Sequence, residues 1–451
     1  MSAPGTIWSS PRGWVTAGAI ALIFLAAMQS LAVTTVMPVV SAELDGAALY
    51  AVAFAGTLAT SVIGMVAVGA WSDRSDPVWP LTIAVALFVV GLLIAGLAPS
   101  MPALVVGRLV QGLGTGGQTV ALYVVVARVY PAVLHGKVFA AFSAAWVVPS
   151  LVGPFLAGAV TEYLHWRWVF LGVAALTVVA FALVAVRLWG TPLGTEHPSD
   201  DRVWPRLMCA VAVAVGALGI SLAGEAGPWA GAAVAVSVAV IALAVRPLLP
   251  ARTLRAGRGL PSVVLMRGLI AAALFGAEIY IPYLLIDDFG FSPVWAGLGL
   301  TAAALTWAGA SWVQGAHGDR IGSTRIALIG GVLLVTATAT AALTAWWHLP
   351  AVVLVAGWSL AGAGMGLMYP RLTVLTLAYS TPRNQGFNSS ALSISENVGS
   401  AASIAVMGLV FTALAGTDAG FPAVFAVSTA LAVLAFVPGL RLARRAAPAA
   451  V

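Results

Sequence analysis

Residues 48–74 read ALYAVAFAGTLATSVIGMVAVGAWSDR, and the first 24 of them (48–71) carry no charged side chain. A hydrocarbon layer about 30 Å thick is crossed by roughly 20 apolar residues in a helix. Inside it no water satisfies a stray N–H or C=O, so the segment must be a continuous helix. Asp73 and Arg74 stop it. Outward in both directions the same alternation recurs, and it predicts fourteen spans, at 14–41, 48–71, 79–98, 102–127, 138–160, 167–187, 206–224, 228–246, 260–286, 293–316, 325–346, 350–376, 389–415 and 421–440. Of the 451 residues 61% are hydrophobic and 8% charged, where a soluble protein carries roughly 25% charged residues. The runs are too long for the strands of a membrane barrel, and no period-two alternation is present. The fold class predicted is an all-α integral membrane protein.

The basic residues orient it. With the N-terminus inside, seventeen of the 21 Lys and Arg fall at the cytoplasmic face, one (Arg167) falls outside, and three (Arg108, Arg267, Arg371) lie within spans. That asymmetry is the positive-inside signature, and it places both termini in the cytoplasm. It also accounts for the net charge of +6 without a nucleic-acid partner. The one cysteine, Cys209, has no partner for an internal disulfide. The N-terminal run exceeds a signal-peptide core and is kept as the first span.

Two polar gaps, 188–205 and 248–259, bracket spans 7 and 8. The predicted organisation is therefore a six-helix bundle (1–187), a linker with two extra spans (188–259) and a second six-helix bundle (260–451). The bundles echo one another. Gly69-Ala-Trp-Ser-Asp73-Arg74 returns as Gly315-Ala-His-Gly-Asp319-Arg320, 246 residues on; Pro38 and Pro282 are 244 apart; Gly112 and Gly114 match Gly362 and Gly364 at 250. Nearly one offset at three places argues for duplication, and two six-helix halves around a midplane site is how many secondary transporters are built.

Several residues are candidates for chemistry. Asp73 can face the positive N-terminus of a neighbouring helix while Gly69 permits close approach. With Arg74, and with the second copy at Gly315, Asp319 and Arg320, this reads as a cytoplasmic gate; an ordinary turn with a solvated ion pair is the plainer alternative. Arg108 lies within span 4, where a cation costs from about 2.5 to over 10 kcal/mol. It must face a partner or a wet cavity, with Gln111 on the same face; a structural arginine bonded to carbonyls of another helix fits equally. Glu278, in Phe-Gly-Ala-Glu-Ile-Tyr-Ile-Pro, is an intramembrane acid suited to carrying a proton or a cationic substrate, unless it snorkels to water. Tyr280 and Tyr283 stand close by. Glu396 reads first as one half of a structural or gating pair with Arg371 or Arg383, and second as a further acid on the proton path. Gly153, Pro154 and Gly158 make span 5 bent and flat, able to seal an outer route. Trp146, Trp307 and Trp358 lie deep in their spans, against lipid or core, or against a substrate cavity that Gln29 and Gln111 would share.

The five histidines fall in gaps or at span ends and form no cluster with cysteine, so neither metal nor haem is expected. No phosphate-cradling Gly-Lys-Ser/Thr loop is present, which argues against ATP as the energy source. No cofactor is expected, and no catalytic cluster points to an enzyme.

Taken together these residues resemble the major facilitator superfamily, and within it the fourteen-helix drug:proton antiporters. Gly69, Asp73 and Arg74 look like the family's loop between spans 2 and 3, and Gly315, Asp319, Arg320, Gly322 and Arg325 like its weaker second copy. Arg108, Gln111 and Gly112 are similar to the span 4 motif, whose arginine is associated with proton coupling. Gly153, Pro154 and Gly158 are similar to the span 5 motif of exporters that exchange protons, and the segment Trp166 to Phe170 to the entry of span 6. Two departures stand out. Asp76, Pro77 and Val78 occupy the place of a glycine and basic residues, and Gln29 stands where relatives often carry an acid. The resemblance implies export of amphipathic, drug-like molecules in exchange for protons, through a monomer in a bacterial inner membrane. Glu278 then becomes the expected proton carrier, tuned by Arg108. A metabolite exporter or uniporter without proton coupling is the alternative within the class. A non-transporting receptor or integral membrane enzyme is the alternative outside it.

Overall fold

The computed structural model describes residues 6–9, 12–46, 49–189, 193–194, 202–222, 229–291, 293–414 and 417–443. Most of the acidic gap expected at 188–205, with Glu196, Asp200 and Asp201, lies outside them. Among the described residues there are helices and no strands. In chain order they are α1 (Arg12–Glu43), α2 (Tyr50–Ser72), α3 (Val78–Gly96), α4 (Met101–Val129), α5 (Ala132–Ala144), α6 (Val147–Tyr163), α7 (Arg167–Leu188), α8 (Val203–Leu222), α9 (Ala230–Ala244), α10 (Leu260–Glu278), α11 (Tyr280–Asp287), α12 (Pro293–Ile321), α13 (Ser323–Trp347), α14 (Ala351–Ala378), α15 (Gln385–Ala413), α16 (Gly420–Leu434) and α17 (Phe436–Gly439).

Twelve of the predicted spans meet the length and apolarity needed to cross a bilayer. The other two coincide with α12 and α15, each 29 residues long. The first half of α15 is polar, with Asn388, Ser389, Ser390, Ser393, Ser395, Glu396 and Asn397.

Two predicted spans are broken, and proline explains both. A proline ring clashes with the carbonyl four residues back and offers no N–H to it. Pro149 thus interrupts the helix at Ala145 and Trp146, between α5 and α6. Pro282 ends α10 at Glu278, its fourth predecessor, before α11 resumes.

The chain falls into two compact units. The first comprises Met1–His135, Val148–Leu249 and Ser380–Ala391; the second, Gly136–Val147, Pro250–Tyr379 and Leu392–Val451. The paired helices α8 and α9 belong to the first. The centre of the first unit is α4, wedged against α2 and α3. Gly112 abuts Thr57 and Thr60 of α2, and Gly114 abuts Ala84 and Phe88 of α3, so closely that any side chain would overlap them. In the second unit α14 holds the same position. Gly362 abuts Ala303 of α12, and Gly364 abuts Gly330 of α13. The glycine pairs matched at offset 250 thus wedge corresponding helices in each repeat.

Candidate functional site

The first cluster forms where α2 meets the start of α15, within the first unit. Gly69 and Gly386 touch backbone to backbone, and a side chain on either would drive into the other. This approach brings Asp73, the residue that ends α2, to the first turn of α15. Its Oδ1 accepts the Gly386 N–H at 2.6 Å and its Oδ2 the Phe387 N–H at 2.8 Å. Helix N-termini leave such donors unsatisfied and carry partial positive charge. Ser390 adds a bond from its Oγ to the Met65 carbonyl at 2.6 Å. Arg128 braces the corner through the carbonyls of Ser72 (2.6 Å), Ser75 (3.1 Å), Leu193 (2.7 Å) and Pro382 (3.4 Å). Asp73 is 3% exposed. Burial pushes its carboxyl up to about 7, against the pull of the two N–H groups, Arg128 and Arg206. Arg74 is exposed. Asp76, one of the departures noted in the sequence, takes the Val78 N–H at 2.9 Å in the turn leading into α3, while its other oxygen takes the Leu193 N–H at 3.2 Å.

The second copy of this loop is built differently. Asp319 is an exposed residue whose side chain meets the Arg371 guanidinium at 2.6 Å, and Arg320 is exposed. Gly315 still makes a close crossing, with Gly136 and Ala140 of α5.

Within the span of α4, Arg108 donates from Nε to the Ala53 carbonyl of α2 at 3.1 Å and from Nη1 to Gln111 Oε1 at 2.8 Å. It is 5% exposed and Gln111 3%. The arginine is thus satisfied by a carbonyl of another helix and by its neighbour one turn on. Gln29 is wholly buried in α1, and neither amide atom has a partner among the described residues. Gly153 lies against Met28 and Leu31 of α1, whereas Gly158 faces open space. Pro154 sits inside α6, with its side chain outside the described set. Trp146, at the α5–α6 break, is exposed.

The second unit holds the other intramembrane charges. Arg267, 2% exposed in α10, meets Glu396 Oε2 through both Nε and Nη2 at 2.9 Å. This corrects the expectation that Glu396 pairs with Arg371 or Arg383. Arg371 is taken by Asp319 and by Ser323 Oγ at 2.9 Å, and Arg267 projects from the neighbouring helix α10. The Arg267 guanidinium also donates to the Tyr369 carbonyl at 2.9 Å and to Thr373 at 3.4 Å, and lies 3.1 Å over the Tyr369 ring. Trp307 packs edge-on against Tyr369, with its indole N–H buried and unpartnered among the described residues. Trp358 is fully enclosed in the packing of α14 and opens to no solvent.

Glu278 stands apart. At the end of α10, just before the proline break, it is partly buried and has no hydrogen bond or ion pair among the described residues. Tyr280 and Tyr283 on α11 do not hold it; they stack into a ring cluster with Phe411 and Phe421, with centroids 5.0–5.4 Å apart. Tyr283 keeps 46% of its surface exposed and Tyr280 7%.

Reasoning from sequence passed over Arg267, Arg128 and the Gly386–Phe387 turn. Arg267 was findable, since the cost argument applied to Arg108 holds for any arginine within a span. The other two depend on long-range contacts. Among the described residues no His, Cys, Asp or Glu cluster could hold a metal.

Comparison with known proteins agrees with this architecture. The model of the family described as Major Facilitator Superfamily matches residues 19–404. A multidrug efflux pump of Staphylococcus aureus is 22% identical over 409 residues, covering 88% of this chain and 89% of that one. A probable multidrug-efflux transporter of Mycobacterium tuberculosis is 26% identical over 450 residues, covering 96% and 94%. Among solved structures, the human organic anion transporter MFSD10 superposes with a TM-score of 0.69 at 16% identity, covering 96% of this chain and all of that one. The proton:xylose symporter XylE superposes at 0.67 and 15%, covering 94% of each.

Proposed function

The chain belongs to the major facilitator superfamily, and on that premise we propose that it exports amphipathic, drug-like compounds across the cell membrane in exchange for protons. It is a multi-pass membrane transporter of small molecules rather than an enzyme. In the proposed reading α12 and α15 complete fourteen spans, both termini are cytoplasmic, the bundles before residue 188 and after residue 259 are the two halves of a duplicated transporter, and the protein works as a monomer. The membrane is a bacterial inner membrane.

One observation carries the proton assignment. Among the described residues, Glu278 is the intramembrane carboxyl left without a cation, whereas Glu396 has Arg267. A lone carboxylate in hydrocarbon is costly unless neutralised. A proton or a cationic substrate supplies the missing charge, and the two compete for one site. Tyr283 and its ring cluster offer aromatic surface beside it, suited to an aromatic cation. Arg108 supplies a fixed positive charge within its span, and Gln29 and Gln111 supply uncharged polar groups for substrate contact. The turn made by Asp73 with α15 serves as the cytoplasmic latch, with Gly69 setting the approach. Gly315, Asp319 and Arg320 form its weaker counterpart, and the Gly153–Gly158 segment seals the outer route.

The energetics suffice. One charge moved through about 100 mV releases roughly 2.3 kcal/mol. At about 1.4 kcal/mol per tenfold ratio, that sustains roughly a fiftyfold gradient of a neutral solute. The test uses proteoliposomes carrying an imposed pH gradient, with ethidium as probe. Glu278→Gln is expected to abolish accumulation while leaving downhill equilibration. Unchanged accumulation in the variant removes the assignment. A second reading, uniport without protons, draws on Gln29, a buried amide that cannot titrate; accumulation indifferent to the pH gradient in the wild type would select it.

A further inference from the structure

The helices α8 and α9 fall between the two repeated stretches of sequence, and they pack within the first unit along α2. Leu218 of α8 comes close to Gly56 of α2, and Gly216 and Gly219 of α8 let Ser237 and Ile241 of α9 approach closely. Much of the pair looks outward. Trp204, Met208 and Val215 of α8 and Val236 and Leu243 of α9 are each more than half exposed. Such a pair adds little to the buried core of the unit.

One side chain gives it reach. Arg206 is the fourth residue of α8. A cation there faces the positive end of its own helix, and an arginine near a helix end ordinarily turns out to water. Arg206 is half-buried instead, with its guanidinium carbon 4.1 Å from the centre of the Phe387 ring. The face of an aromatic ring attracts a cation. The backbone N–H of that same Phe387 is one of the two that Asp73 accepts. Burial raises the Asp73 carboxyl, while the two N–H groups and the charges of Arg128 and Arg206 pull it down. Arg206 therefore acts on both partners of the latch, on one through its ring and on the other through its charge.

Arg128 does not duplicate this role. It holds the corner through the carbonyls of Ser72, Ser75, Leu193 and Pro382, and so fixes the backbone that leads into the latch. Arg206 bears on the Phe387 side chain, on the first turn of α15 itself.

We propose that Arg206 is a positioning residue of the latch, through which the α8–α9 pair holds the first turn of α15 against Asp73. Displacing the pair from α2 would then loosen the latch, which gives the two inserted helices a part in gating. This rests on the latch reading above.

The test is hydrogen exchange at the Phe387 amide of the purified full-length protein at a pH of about 8, above the Asp73 value of about 7, so that this carboxyl is mostly ionised. Arg206→Gln removes the cation and is expected to lower protection at Phe387 by about three- to tenfold, with amides inside α3 and α4 unchanged. Arg206→Lys keeps the cation and should stay nearer the wild type. Arg206→Glu sets a like charge beside Asp73 and should fall further than Arg206→Gln; in an Asp73→Asn background that gap should close. Phe387→Leu keeps apolar bulk and removes the ring face, so adding Arg206→Gln to it should cost much less than Arg206→Gln alone. Additive losses, or wild-type protection in Arg206→Gln, overturn the proposal. So does a loss spread evenly over α3 and α4, which would make Arg206 a residue of the fold. If Asp73→Ala leaves Phe387 as protected as in the wild type, the latch itself fails; if Asp73→Ala loosens it and Arg206→Gln does not, this inference alone fails.

Discussion

The loops Gly69–Arg74 and Gly315–Arg320 share glycine, aspartate and arginine at the same spacing, and do different things. Asp73 is sunk at the start of α15 and satisfies two backbone donors. Asp319 stands at the surface, its side chain 79% exposed, and holds one arginine. The glycines facing the two loops differ too: a side chain at Gly386 would run into Gly69, while one at Gly136 would find its nearest neighbour 3.8 Å away, although one at Gly315 itself would crowd Ala140. A duplicated motif keeps its residues but not its backbone: Asp73 follows the end of α2, whereas Asp319 lies inside α12, and what each does depends on where its helix ends and what it faces.

This comparison can be broken by substitution. The largest effect is expected from Asp73→Ala. It strands two buried N–H groups, each worth about 1–3 kcal/mol when left unsatisfied, so ethidium efflux should fall by about tenfold together with the unfolding temperature. Asp319→Ala serves as its control, and equal losses from the two would dissolve the distinction.

Next come the glycines. Gly386→Ala forces α2 and α15 apart and should cost most of the efflux, read as transport rate at matched expression. Gly136→Ala should be close to silent. If Gly136→Ala proved the more damaging, the tight crossing would have been placed at the wrong loop.

The latch should also respond to pH. The Asp73 carboxyl sits at about 7 when latched, against an ordinary 3.8. Its proton is therefore bound more tightly in the latched form than in an open, solvated one. Protonation favours latching: the contribution is full below the ordinary value and is lost as pH rises through 7. Hydrogen exchange at the Gly386 and Phe387 amides, corrected for intrinsic rates, should show protection falling as pH rises from about 5 to 8. Asp73→Asn should flatten that trend, and a rise in protection with pH would reverse the account. The smallest effect belongs to Asp319→Asn. An exposed ion pair contributes about 0–1 kcal/mol, so transport and melting should stay near the wild type.

Much of this was legible in the chain. Apolar run length located the helices, and even the two polar ones, α12 and α15, lie where the alternation put them. The breaks were half visible. Pro282 was in plain view, yet that it would end α10 at Glu278 needed the rule that a proline disrupts the bond four residues back. Partnerships were the hidden part. Glu396 had two arginines in view, Arg371 and Arg383, and helix packing chose a third, Arg267 on α10. The Asp73 contact joins residues more than 300 positions apart, a distance that no local pattern spans. Asp76 shows the converse. It breaks the family pattern at that loop, and its local chemistry, an aspartate turn taking the N–H two residues on, was readable from residue type alone.

The central claim is that an uncompensated carboxyl at Glu278 trades a proton for the transported molecule. The most direct measurement is proton release from purified, weakly buffered protein near neutral pH as ethidium is added. The account predicts release that scales with dye bound in the wild type and vanishes in Glu278→Gln. Equal release from both proteins, or binding with no release from either, would contradict it.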